Sequence, residues 1–338
     1  MNKLQSVKGK NRTRVDTARR GEKNLVAWGT GTLLRNYLTA HPNDHGLSYV
    51  VDSFQNGAGQ FMGLSFLPAG ELKNADPANV LPVIFSVSNQ SQRSIALALN
   101  ALGFRYGCGY IDSSDLFRSD FEKKLRALIG RPPGSANYCL ARSHYNNSHV
   151  PVQTTVCGNW LLLECLEATA GFSGHIAEIG SYRGGNSVLM LQSMATRRDL
   201  RHYFIMDSFE GFPELSAYDP GSEQHKFDEE YNLLEIEDRF SMFENAEIIR
   251  GFIPDTLNNL PRDADYSLVF FDCDLYEPAV AALRYFWGRI MPQGYMVLHD
   301  YVHSVYGGVQ RAVDEFCEGM GIKPAIFFES TMAVLKKE

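Results

Sequence analysis

The chain has 338 residues, 44% hydrophobic and 21% charged, too long and too apolar for a disordered protein and long enough for about two globular domains. With Lys plus Arg at 32 against 39 acidic residues, the formal charge of -7 argues against a surface built to hold nucleic-acid phosphates or an anionic membrane. The six cysteines form no C-x-x-C pair, no apolar run approaches the roughly 20 residues that span a bilayer, and no secretory h-region opens the chain, so a reducing cytoplasm is the expected location.

Residues 1–23 carry Lys3, Lys8, Lys10, Arg12, Arg14, Arg19, Arg20 and Lys23 against Asp16 and Glu22, with few apolar residues to bury. They read as a basic, flexible arm. From Asn24 the pattern is strand, turn, helix: Leu25-Val26-Ala27-Trp28 is apolar, Gly29-Thr30-Gly31 turns, and Leu33, Leu34, Tyr37 and Leu38 recur at helical spacing. A second strand over 47–51 ends at Asp52, a third covers 81–87, and a helix through Ile95, Leu97, Leu99 and Leu102 closes at Gly103. Alternating strands and helices predict a small parallel sheet, so residues 24–130 read as a small Rossmann-like domain. Gly130-Arg131-Pro132-Pro133-Gly134-Ser135 breaks the charged helix around 121–128, and residues 131–153 read as a loose linker.

A second domain, 154–338, opens with a helix over 159–168 and repeats the alternation, with strands expected at 176–179, 203–206, 246–249, 268–271 and 295–298. The stretch 212–233, rich in Asp, Glu, Pro, Gly and Ser, reads as a long loop or lid of the kind that covers a site in α/β enzymes. A helix over 309–316 follows. Pro324-Ala325-Ile326-Phe327-Phe328 and Met332-Ala333-Val334-Leu335 then read as a hairpin, an antiparallel edge on a parallel sheet.

Three constellations could carry chemistry. Glu178-Ile179-Gly180-Ser181-Tyr182-Arg183-Gly184-Gly185-Asn186-Ser187 follows a strand and opens a helix, where a ligand can lie against backbone amides. Its spacing is not G-x-G-x-x-G, so an adenosyl or amino-acid ligand fits it better than a pyrophosphate; a tight turn with glycines for packing is the plainer alternative. Asp207 ends the next strand, where a carboxylate can bind both ribose hydroxyls or simply cap a helix. Asp272-Cys273-Asp274 and His299-Asp300 end two further strands that should share the same sheet edge. Oxygen donors there favour Mg²⁺ and an imidazole also accepts Mn²⁺, Zn²⁺ or Fe²⁺, while helix capping or pairing with Arg and Lys would explain the acids without a metal. Tyr301 and His303 read as packing or surface residues. In the first domain Leu34 stands where a dinucleotide fingerprint has its third glycine, which leaves nucleotide binding and a ligand-free spacer both open.

Five segments occur in the order seen in macrocin-type sugar O-methyltransferases, which residues 155–338 resemble. They are Ile176-Ala177-Glu178-Ile179-Gly180-Ser181-Tyr182-Arg183-Gly184-Gly185, Asp207-Ser208-Phe209-Glu210-Gly211-Phe212-Pro213, Arg250-Gly251-Phe252-Ile253-Pro254-Asp255-Thr256-Leu257, Asp272-Cys273-Asp274-Leu275-Tyr276-Glu277 and His299-Asp300-Tyr301. The strand and helix alternation gives an α/β architecture of two Rossmann-like domains, and the resemblance implies that the C-terminal one is a seven-stranded class I methyltransferase fold with a terminal antiparallel hairpin. It implies S-adenosylmethionine and Mg²⁺, or another divalent cation, as cofactors in methylating sugar hydroxyls of natural products. By motif, Glu178, Gly180, Ser181, Gly184 and Ser187 would surround the methionine part of the cofactor and Asp207 would hold its ribose. Ser208, Gly251 and Phe252 would border the adenine. Asp272, His299 and Asp300 would hold the metal, with Asp272 and His299 catalytic; the family pattern has aspartate at the position of His299. Expected partners are a glycoside, antibiotic, polysaccharide or other small-molecule acceptor and further copies of the chain, with neither nucleic acid nor membrane. A catechol-like acceptor would chelate a cation equally well, and a nucleotide-sugar-binding or NAD-dependent protein centred on Gly29-Thr30-Gly31 is the reading from another class.

Overall fold

A computed structural model of the chain describes residues 24–43, 45–53, 57–107, 109–219, 232–303 and 307–338. The basic arm and the middle of the expected lid, 220–231, lie outside the described residues. The chain divides into two compact units after Phe121.

The first unit holds a six-stranded sheet in the order β3-β4-β2-β1-β5-β6, made of β1 (Asn24–Trp28), β2 (Leu47–Asp52), β3 (Gly59–Phe61), β4 (Leu64–Pro68), β5 (Val80–Ile84) and β6 (Ile111–Asp112). All neighbouring pairs run parallel except β3 with β4. The apolar runs of β1 and β5 are buried on both faces, as central parallel strands require. Helices α1 (Thr32–Ala40) and α2 (Asn89–Ala101) follow β1 and β5. The third strand stops at Ile84 instead of Val87, and the β3–β4 pair occupies a stretch that carried no expected strand.

The division falls inside α3 (Ser113–Ile129), ahead of the Pro-Gly turn at which a boundary was expected. The expected linker 131–153 instead carries α4 (Ser135–Asn147), which packs on α5 (Val156–Ala168). Tyr138 meets the Trp160 ring edge-on at 5.0 Å, and Glu164 Oε1 accepts the Gly134 N–H and the Asn137 amide at 2.6 and 3.0 Å. The two prolines therefore interrupt a helix without separating domains. Thr155 caps α5 by accepting the Gly158 N–H at 3.0 Å, and α5 is buried almost all round, as a central helix must be.

The second unit is built on a seven-stranded sheet of β7 (His175–Ile179), β8 (Tyr203–Asp207), β9 (Ala246–Arg250), β10 (Tyr266–Phe271), β11 (Ile290–Leu298), β12 (Ala325–Phe327) and β13 (Met332–Lys336), in the order β12-β13-β11-β10-β7-β8-β9. The pairs from β9 to β11 are parallel. Only β13 runs against its neighbours, and it is inserted between β11 and β12, so the hairpin is present but its antiparallel strand is second from the edge. Helices α6 (Gly185–Arg197), α7 (Leu233–Ser241), α8 (Tyr276–Phe286) and α9 (Gly307–Met320) complete it. Ala177, Ile179, Val269, Phe271, Met296 and Leu298 alternate onto one sheet face and form the main core with residues of α8 and α9. The intervening residue of β7, Glu178, turns to the opposite face. No helix among the described residues is long and apolar enough to cross a membrane.

Candidate active site

The parallel strands present their carboxyl ends along one edge, and the β7 end turns sharply. Gly180 adopts φ +85°, and a Cβ there would collide with the carbonyl oxygen of Asp272 on the neighbouring chain segment. Gly184, the N-cap of α6 at φ +80°, faces the Phe240 ring closely enough to exclude a side chain. The turn is buttressed by the expected linker and the residue that follows it: His144 Nε2 lies 2.8 Å from the Gly185 carbonyl and Asn186 donates to Thr154 Oγ1 at 2.8 Å. Nothing in the polar, weakly periodic stretch 135–154 advertised that role.

Glu178 is fully buried. Its Oε2 accepts the hydroxyls of Ser187 and Tyr203 at 2.5 and 2.7 Å, whereas Oε1, like Ser181 Oγ, is buried with no hydrogen-bond partner among the described residues. Burial pushes the Glu178 carboxyl up to about 7 in spite of the two hydroxyls, and the charges of Asp272 and Asp207 push the same way. Two orphaned polar atoms beside a glycine turn fit an amino-acid-like ligand carrying an ammonium donor. Asp207 ties the β8 end to that turn: Oδ2 accepts the Tyr182 N–H at 2.7 Å and Oδ1 the Phe209 N–H at 2.8 Å. Burial raises its pKa despite these amides. The Ser181 N–H is a third amide on this carboxylate. Ser208 closes its own turn, donating to the Gly211 carbonyl and accepting the Glu210 N–H, both at 3.1 Å. The Gly251 N–H donates to the Asp207 carbonyl at 2.9 Å, which carries the partly exposed Phe252 ring to the same edge.

One strand further, the ladder runs past the strand ends: the Asp272 N–H donates to Ile179 and the His299 N–H to Phe271, at 2.7 and 2.9 Å. The side chains that follow converge. His299 Nδ1 lies 2.8 Å from Asp272 Oδ1 and 2.9 Å from Asp300 Oδ2, and the donor atoms of these three residues lie within 4.8 Å of one another. Burial opposes the imidazolium, but the two carboxylates outweigh it and raise the His299 pKa well above its usual value. Burial likewise works against ionised Asp300, and His299 outweighs it and holds that carboxyl low. Asp274, half-buried beside Asp300, is raised well above the carboxylate range, first by burial and then by the Asp300 and Asp272 charges. Both ring nitrogens of His299 face protein atoms, since Nε2 lies 3.1 Å from Thr331 Oγ1. Tyr301 is a packing residue whose hydroxyl donates to Asp314 at 2.6 Å.

Four non-glycine residues at this edge adopt left-handed backbone: Tyr182, Phe209, Asp274 and Asp300, after β7, β8, β10 and β11. Such conformations cost free energy and gather where side-chain placement matters. Sequence reasoning missed Asp219, which is buried within the described part of the lid. Its Oδ1 accepts the Tyr276 N–H at 3.0 Å at the start of α8, which lacks a side-chain cap of its own, and its Oδ2 accepts the Ser216 hydroxyl at 2.5 Å. Tyr218 beside it packs on Tyr276, ring centroids 4.5 Å apart, with the Arg311 guanidinium 4.0 Å from the Tyr218 ring. Asp219 stands in an acid-rich stretch with no periodicity to single it out.

In the first unit, Asp52 Oδ2 accepts the N–H and the hydroxyl of Thr30 at 2.9 and 2.7 Å.

The family described as Macrocin-O-methyltransferase (TylF) matches residues 161–337. The chain belongs to this family. The TylF family is one of S-adenosylmethionine-dependent methyltransferases, and the chain is accordingly an O-methyltransferase. The 8-demethyl-8-(2,3-dimethoxy-alpha-L-rhamnosyl)-tetracenomycin-C 4'-O-methyltransferase of Streptomyces olivaceus is 26% identical over 250 residues, 62% of this chain and 92% of that protein. The mycinamicin III 3''-O-methyltransferase of Micromonospora griseorubida is 24% identical over 186 residues, 49% of this chain and 69% of that protein. The solved O-methyltransferase NovP superposes with a TM-score of 0.50 at 21% identity, over 65% of this chain and 98% of that one, and shares the fold. The TylF match lies wholly within the second unit.

Proposed function

We propose that this TylF-family chain methylates a sugar hydroxyl of a glycoside or related natural product, with a divalent cation held by Asp272, His299 and Asp300. The observation that carries this reading is one rim, formed by the ends of β7, β8, β10 and β11, that joins the orphaned Glu178 Oε1 and Ser181 Oγ to a cluster of two carboxylates and an imidazole. The donor set fits a divalent ion, because two carboxylates balance its charge and three ligand atoms face one another. The named relatives methylating sugar-bearing antibiotics support the acceptor class.

S-adenosylmethionine supplies a methyl already activated on sulfonium, so the protein's task is alignment and the basicity of the acceptor oxygen. Glu178 and Ser181 hold the ammonium end, Asp207 the ribose, and Ser208, Gly251 and Phe252 flank the adenine. A divalent cation supplies Lewis acidity to an acceptor hydroxyl. His299, with Nε2 against Thr331, would hold the cation through Nδ1, which faces both carboxylates. Asp272, the most exposed of the three, would help hold the cation and take the acceptor proton.

Calorimetric titration with S-adenosylmethionine, followed by incubation with a panel of glycosides, nucleotide sugars and catechols, tests the reading. Cofactor binding and a product heavier by one methylene on a sugar are expected. A folded protein that does not bind the cofactor rejects the function, and methylation confined to catechols rejects the acceptor class.

A further inference from the structure

We infer that His299 makes this a nitrogen-containing cation site, selective for Mn²⁺, Fe²⁺, Co²⁺ or Zn²⁺ over Mg²⁺, with Thr331 as the residue that fixes the ligating nitrogen. The inference rests on the cation site proposed above and names what that site prefers. Its starting point is a hydroxyl with one proton. Thr331 Oγ1 donates that proton to the Ser330 carbonyl at 2.6 Å, so toward His299 Nε2, at 3.1 Å, it can only accept. Nε2 therefore carries a hydrogen whether the ring is neutral or charged, and Nδ1 is the nitrogen whose proton a cation would displace. That nitrogen faces Asp272 Oδ1 and Asp300 Oδ2 at 2.8 and 2.9 Å.

Two carboxylate oxygens turned on one nitrogen need positive charge between them, which the Nδ1 proton supplies until a divalent cation takes its place. The ring cannot swing away: its backbone N–H continues the sheet ladder to Phe271, and its side chain is only 7% exposed. Thr331 itself is fully buried and holds left-handed backbone at φ +60°, an uncommon state for a β-branched residue. Hydrogen bonding of the non-ligating nitrogen is how proteins set the tautomer and orientation of a ligating histidine. A set of one imidazole and two carboxylates suits first-row transition ions, whereas Mg²⁺ is suited by oxygen alone and gains least from the nitrogen.

The test is calorimetric titration of chelator-stripped protein with Mg²⁺ and with Co²⁺, for the wild type, His299→Asp and Thr331→Val, each also titrated with S-adenosylmethionine. Because most sites bind Co²⁺ more tightly than Mg²⁺, the decisive quantity is the change in their ratio on substitution. His299→Asp is expected to lower the Co²⁺/Mg²⁺ preference by about tenfold or more, and Thr331→Val to weaken Co²⁺ by about tenfold. An unchanged ratio in His299→Asp, with the cofactor still bound, overturns the nitrogen ligand and leaves the methyltransferase reading standing. Cofactor binding with no affinity for either metal overturns the inference together with the cation. Loss of cofactor binding in the wild type overturns the proposed function instead. Should His299→Asp fail to fold, pulsed electron paramagnetic resonance of Mn²⁺ bound to the wild type decides: modulation from a coordinated ¹⁴N is expected, and its absence overturns the proposal.

Discussion

The two units use one backbone device at the same place in their sheets. In each, a parallel strand ends at a glycine whose N–H bonds the adjacent strand, Gly29 to Val51 and Gly180 to Met206. In each, a Cβ on that glycine would collide with a carbonyl from the strand on its other side, Phe85 or Asp272. In each, the aspartate ending the second strand accepts an N–H from the turn, Asp52 from Thr30 and Asp207 from Tyr182. What differs is the side chains around the device. Ala27 stands two residues before its glycine where Glu178 stands before Gly180, and Phe85 occupies the place of Asp272. Glycine turns and a strand-end aspartate are therefore explained by backbone packing in both units, and chemistry is signalled by the buried acids around them.

That contrast can be broken at several points. The largest effect is expected from Asp272→Asn, which should reduce turnover by about 10²–10⁴-fold while the calorimetric affinity for S-adenosylmethionine stays within about threefold. Undiminished initial rates would erase the distinction between the two rims. Next comes Glu178, whose pKa rises from 4.5 to about 7 on folding. The folded state binds the proton more tightly, so the stabilisation is complete below the unfolded value. It is lost as pH rises toward 7, by about 3 kcal/mol in the absence of cofactor. Glu178→Gln should flatten this part of the difference in chemical-denaturation stability between pH 4.5 and 7.5; identical slopes would refute the buried-acid account. Asp207→Ala removes charged hydrogen bonds to the turn and should weaken cofactor binding by about 10–100-fold. The smallest effect is expected from Asp52→Ala: a stability loss of about 1–2 kcal/mol by denaturant titration with cofactor affinity unchanged. A change in that affinity would show that the first turn takes part in the reaction.

Much of the fold was legible because the central strands are parallel and buried on both faces, so 176–179, 203–206 and 268–271 read as apolar runs between turn residues. The short strands β3, β4 and β6 were not, since a three-residue piece such as Gly59-Gln60-Phe61 has no period to detect. Helix α4 was hidden by the prolines before it and by partners, Trp160 and Glu164, that only the tertiary fold supplies. At the site, the residue types and their shared edge could be read from the motifs. The orientation of His299 could not, because Thr331 reaches it only through the insertion of β13 beside β11, and Asp219 caps a helix 57 residues away in sequence.

The left-handed backbone at Asp274 and Asp300 bears on how this enzyme can be improved. Asparagine or glycine relieves strain at such positions and removes the carboxylate in the same step. A library selected only for surviving heat would be drawn to those two codons and would yield hardier, inert proteins, so any thermostabilisation programme has to screen for methyl transfer in every round.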